Sequence, residues 1–227
     1  GQPYQVTPQA ASLRETIQAI HANLEQSIDP AFLGDEKGFA PNLTSEEEAL
    51  DLLMKAIRAA GYRPGVDVAL ALDVAASELY EKDVKTQADA TTAHYRLRNE
   101  ELTSDQLIER YDQWLKRYPI ISIEDGLAEG DRQGWQTMTQ RLGSRVQLVG
   151  DDNFVTNPAI LEQGIADGIA NAILIKVNQI GTVTETVRVG RMAQAAGYGR
   201  MVSHRSGETE DAFIADLANA NDAQLRE

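Results

Sequence analysis

A chain of 227 residues with 21 Lys and Arg against 35 Asp and Glu carries a formal net charge of -14. That balance argues against a nucleic-acid partner, which needs basic patches to neutralise phosphates. The absence of cysteine excludes disulfides and thiolate chemistry and is compatible with a reducing compartment. No apolar run approaches the roughly 20 residues of a membrane helix, and the N-terminus has no signal-like apolar region. A soluble, cytoplasmic protein without a membrane partner is therefore expected. The length suits a single-core α/β domain.

Residues 1–33 are the least informative. Leu13, Ile17, Ile20 and Leu24 recur at helical spacing, predicting a helix from Ser12 to Gln26 that is broken at Pro30. Beyond Gly34, short apolar runs alternate with helical patterns, as in β/α units around a parallel sheet. Thr44 to Glu47 reads as a capping box opening a helix that Gly61 stops, and VDVALALD reads as a strand. Residues 80–101 are polar and predict a long loop with short strands at most. Thr103 to Gln106 is a second capping box, with Leu107, Ile108, Tyr111, Trp114 and Leu115 on the helix's inner face. Pro119 ends that helix and IISIE follows as a strand. A helix over Arg132 to Leu142 leads to the strand VQLVGD, and Asn157-Pro158 starts another helix. AILIKV is the next strand, Thr182 to Glu185 caps a helix ending near Gly197, RMVSH is a strand, and ETEDAFIADLANA is a final helix.

The informative feature is where the polar residues fall. VALAL runs into Asp73, IISI into Glu124, QLVG into Asp151, AILI into Lys176 and MVS into His204. The last four are spaced by 27, 25 and 28 residues, close to one β/α unit each. Side chains from several strand ends converge at the carboxyl edge of a parallel sheet, which is where such folds build active sites. A single Asp after a strand is usually a turn former, and a single Lys there is usually solvated. Five ionisable residues in register are harder to dismiss, because crowded charges are costly unless paired or metal-bound. Carboxylates without cysteine suit a hard, oxygen-preferring cation. Asp73, Glu124 and Asp151 holding such an ion, with Lys176 beside it as a general base, predict metal-assisted proton abstraction next to a carboxylate.

The strings GDEKGFAPNLTSEEEALDLL, LALDVAASE, SIEDGLAEGD, LVGDDNFVTNP, NAILIKVNQIGTVTET and MVSHRSGETEDAFIADLA resemble the enolase family over residues 34–216, in family order. The resemblance implies a TIM-type (β/α) barrel and reversible, Mg2+-dependent dehydration of 2-phospho-D-glycerate to phosphoenolpyruvate in a cytoplasmic homo-oligomer. It further implies Asp73, Glu124 and Asp151 as magnesium ligands, Lys176 as the base at C2, and Glu36 as the acid at the departing hydroxyl. His204, Arg205 and Ser206 would cradle the substrate, the last two at its phosphate, and a second magnesium would arrive with it. Lys37 stands where the family has glycine, so a cation adjoins the proposed acid. The family's N-terminal domain and its last barrel strand, with a second active-site lysine, are not recognised. An incomplete barrel is expected, with about six of its eight strands. Residues 1–33 are read as a helical segment and 34–227 as the partial barrel domain. A catalytically impaired descendant kept for binding or regulation is the alternative.

Overall fold

The computed structural model describes residues 10–25, 39–80, 93–205 and 207–223. It divides into two compact units, Gly1–Ala69 and Leu70–Glu227. The division expected at residues 33/34 lies outside the described residues.

In the first unit, helices α1 (Ala10–Glu25) and α2 (Glu46–Ala59) pack on each other. Leu50, Met54 and Ile57 recur at helical spacing on α2 and are all buried, the stripe by which an amphipathic helix docks. Its first turn carries Glu46, Glu47 and Glu48, which suit the positive end of the helix dipole. The cap differs from expectation by one residue. Ser45, not Thr44, accepts the Glu48 N–H, at 3.2 Å. Both T-x-x-E and S-x-x-E occur in TSEEE, and the Glu48 carboxylate decides between them by taking the N–H and hydroxyl of Thr44 at 2.7 and 2.9 Å. The strand expected from Val66 also starts late, at Leu70. Asp67 instead accepts from the backbone and guanidinium of Arg63, at 2.7 to 2.8 Å, and Gly65 turns the chain with φ 79.

The second unit holds the sheet. Its strands are β1 (Leu70–Asp73), β4 (Ile120–Glu124), β5 (Gln147–Gly150), β6 (Ala172–Ile175) and β7 (Gly199–Val202). They lie side by side in that order and every pairing is parallel. This is an α/β fold with five parallel strands, consistent with an incomplete TIM barrel. Parallel strands need crossovers, supplied by α3 (Ser104–Arg117), α4 (Arg132–Leu142), α5 (Pro158–Ala166) and, from β6 to β7, α6 (Val177–Ile180) with α7 (Val183–Ala195). Helix α8 (Phe213–Ala223) follows β7 and packs on it. Interior strands are apolar on both faces, as AILI of β6 shows by being buried at all four positions.

Three helix starts follow the local chemistry read from the sequence. Thr103 and Gln106 form a reciprocal capping box on α3, Asn157 caps α5 with Pro158 in its first turn, and Thr182 caps α7. Short strands do occur at the end of the polar stretch: β2 (His94–Leu97) and β3 (Glu100–Thr103) form an antiparallel hairpin. Tyr95 and Leu102 face each other across it, both buried. The Tyr95 hydroxyl donates to Asp131 at 2.7 Å and accepts from the Ala128 N–H at 3.1 Å, clamping the hairpin to the loop after β4.

Candidate active site

Because the five strands are parallel and adjacent, their carboxyl ends share one edge. Asp73 is the last residue of β1 and Glu124 the last of β4, and the two are register partners. Asp151 directly follows β5, Lys176 follows β6, and His204 comes two residues after β7. The Lys176 ammonium meets Asp151 Oδ2 at 2.5 Å, and both side chains are largely buried. Asp151 Oδ1 accepts from Gln179 Nε2 at 3.1 Å. The backbone N–H groups of Asp151 and Asp152 donate to the two carboxylate oxygens of Asp125, at 2.9 and 3.0 Å. Asp125 thereby holds the turn that presents Asp151.

This edge is also where the backbone is forced. Ala75, Asp125, Val155 and Thr156 all have φ between 41 and 53. Such left-handed geometry is unfavourable for residues with a Cβ, most of all β-branched ones. It persists where surrounding contacts over-determine it, commonly at functional sites.

Electrostatics bind the group together. Burial pushes the Glu124 carboxyl up to about 7, reinforced by the negative charges of Asp73, Asp151 and Asp125 and opposed by Lys176. Burial likewise raises Asp73; the Ala75 N–H opposes the rise and Asp151 adds to it. Asp125 is pushed up to about 6 by burial, against the two amides it accepts. Among the described residues, the carboxylates of Asp125, Asp151 and Asp152 come within 4.8 Å of one another. Asp125 commits both oxygens to backbone amides and so serves the turn; Asp151 meets side chains alone, Lys176 and Gln179, and Asp73 and Glu124 share its negative field. Their oxygen-only donor set carries more negative charge than Lys176 offsets. A hard divalent cation fits that imbalance.

The structure thus brings together Asp73, Glu124, Asp151 and Lys176. His204 and Arg205 lie exposed on the loop after β7, which Glu208 ties to α6 by accepting from Asn178 at 2.9 Å. Glu36 and Ser206 fall outside the described residues. Reading the sequence for strand ends missed Asp125, Thr156 and Gln179. Asp125 sat one residue past a strand end already chosen, and Gln179 lay inside KVNQIGT without a partner to mark it. Nothing local distinguished Thr156.

Fold and site together define an α/β protein of the parallel-barrel kind, with its polar site at the carboxyl ends of the strands. The family model described as "Enolase, C-terminal TIM barrel domain" matches residues 7–226. The chain belongs to this family, whose members are lyase-type enzymes, and the match reaches well beyond the motifs at residues 34–216. Among the described residues no helix is long and apolar enough to cross a membrane.

Proposed function

We propose that the chain catalyses the magnesium-dependent, reversible dehydration of 2-phospho-D-glycerate to phosphoenolpyruvate, in glycolysis and in the cytoplasm, as a homo-oligomer. The observation that carries this reading is the meeting of Asp73, Glu124, Asp151 and Lys176 at one edge of a sheet in a chain of the enolase family.

Asp73, Glu124 and Asp151 would hold Mg2+, which when bound supplies positive charge to neutralise the substrate carboxylate and the charge that grows as the adjacent carbon loses its proton. Lys176 takes the proton from C2. The electron pair of that C–H bond becomes the C2–C3 double bond, and the C3 hydroxyl leaves as water with a proton from Glu36. Lys176 and a cation compete for Asp151, since the lysine now occupies Oδ2. To act as the base, Lys176 would leave Asp151 Oδ2 and give up its ammonium proton to solvent, with Asp151 then left to hold the cation. His204, Arg205 and Ser206 cradle the substrate, with Arg205 and Ser206 donating to the phosphate, where a guanidinium offers two parallel N–H groups.

The test is phosphoenolpyruvate formation from 2-phosphoglycerate by the purified chain with Mg2+, beside Lys176→Ala. Turnover that disappears in the variant supports the assignment. Absence of turnover in the unaltered chain, with Mg2+ still bound, favours the impaired descendant kept for binding.

A further inference from the structure

Asp151 is held by two donors of different character. Lys176 is a cation that the proposed reaction calls away, whereas Gln179 is a neutral amide with no proton to exchange. Resting on the metal site proposed above, we infer that Gln179, set by Thr156, is a positioning residue that orients the Asp151 carboxylate for the divalent cation.

The amide is oriented without ambiguity. A carboxylate only accepts, so the Gln179 atom 3.1 Å from Asp151 Oδ1 is the NH2 group. Its carbonyl then faces Thr156 Oγ1 at 3.0 Å. That hydroxyl accepts the Lys176 backbone N–H at 2.9 Å, and its single proton has a closer acceptor in Gln179 than in the Leu174 carbonyl, 3.5 Å away. The bonds close a ring: Lys176 backbone to Thr156, Thr156 to Gln179, Gln179 to Asp151, and Asp151 to the Lys176 ammonium. Thr156 is completely buried and sits at φ 53. A β-branched residue in that geometry is strained, and here its hydroxyl joins β6 to the site.

The neutrality of Gln179 gives the ring its use. A hydrogen bond from an amide fixes the carboxylate's rotation and leaves its full negative charge for the cation. A second cation there would fix it equally well but weaken the metal. Groups that orient ligating carboxylates in this way typically alter metal affinity by 10- to 100-fold.

Mg2+ binding to the full chain, measured by titration calorimetry with thermal melting alongside, tests this. Gln179→Met keeps the length and apolar stem of the side chain but cannot donate. It is expected to weaken Mg2+ roughly 10- to 100-fold with little change in melting temperature. Thr156→Val should weaken it in the same direction, and Thr156→Ser, which keeps the hydroxyl, should restore it. Asp151→Asn serves as the control for the site itself. If Asp151→Asn loses Mg2+ while Gln179→Met binds within about twofold of the unaltered chain, the positioning role is overturned and the metal site stands. If the unaltered chain binds no Mg2+, the metal site falls and this inference with it. Should Gln179→Met fail to fold, Thr156→Val decides, and unaltered Mg2+ affinity in that variant overturns the role.

Discussion

Strands β6 and β7 are neighbours that end at the same edge, yet their ends are built differently. β6 is flanked by β5 and β7, every residue in it is buried, and Lys176 beyond it is caught in a closed ring of hydrogen bonds. β7 pairs within the described sheet only with β6, all four of its residues are partly exposed, and His204 and Arg205 lie exposed beyond it. The difference teaches that burial on both sides of a strand is what pre-organises its end. Removing charged side chains from water is costly, so those at the β5 and β6 ends must be partnered. Those at the β7 end stay in water and carry no such requirement.

Four substitutions or conditions would break or sharpen that contrast, from the largest effect to the smallest. Asp151→Asn removes the charge on which Lys176 and Gln179 converge; Mg2+ affinity should fall by more than about 100-fold, beyond the loss typical of an outer partner, while circular dichroism remains that of a folded chain. Asp125→Ala strips the acceptor from two backbone N–H groups and should destabilise the fold by roughly 2–4 kcal/mol in denaturant titrations, whereas Asp125→Asn, keeping one acceptor, should lose less.

A change of pH tests the same cluster without mutation. Glu124, pushed up to about 7, and Asp125, pushed up to about 6, keep their protons in the folded chain at pH values where ordinary carboxyls, near 4.5 and 3.8, have released them. Their contribution to stability is therefore complete below about pH 4 and is lost as the pH rises to about 7. Asp67, lowered to about 2 by its bonds from Arg63, works in the opposite sense but below that window. Melting in EDTA should occur at a lower temperature at pH 8 than at pH 5. Added Mg2+ should narrow the gap, since binding to the folded state stabilises it. Equal melting temperatures in EDTA would show that the carboxylates do not crowd one another. At the exposed end, His204→Ala and Arg205→Ala should change stability by less than about 0.5 kcal/mol. As members of the proposed substrate cradle, both variants should nonetheless weaken phosphoenolpyruvate binding, measured by calorimetry.

What was legible in the sequence was whatever depends on near neighbours. The box at Thr103 and Gln106, the cap at Asn157-Pro158 and the cap at Thr182 stand where they were read, because each closes within three residues. The strand-end residues Asp73, Glu124, Asp151, Lys176 and His204 were legible because apolar runs are periodic and parallel strands all end on the same edge. Where two local patterns competed, as at Thr44 and Ser45, the sequence offered no preference and a side chain's choice of partner settled it. Short strands were expected in the polar stretch holding β2 and β3, but their pairing was hidden, because its buried face shows as little more than Tyr95 and Leu102 and the bonds that hold Tyr95 come from residues 33 and 36 positions away.

Sequence by itself thus determined the element order, most helix starts, the family and the ionisable residues at the strand ends. Only the tertiary structure decided that Asp125 builds the turn for Asp151 and that Thr156 and Gln179 close a ring around it. Those bonds span 20 to 28 residues. A hydrogen-bonding side chain has no partner until folding brings one to it, and burial then makes that partner obligatory.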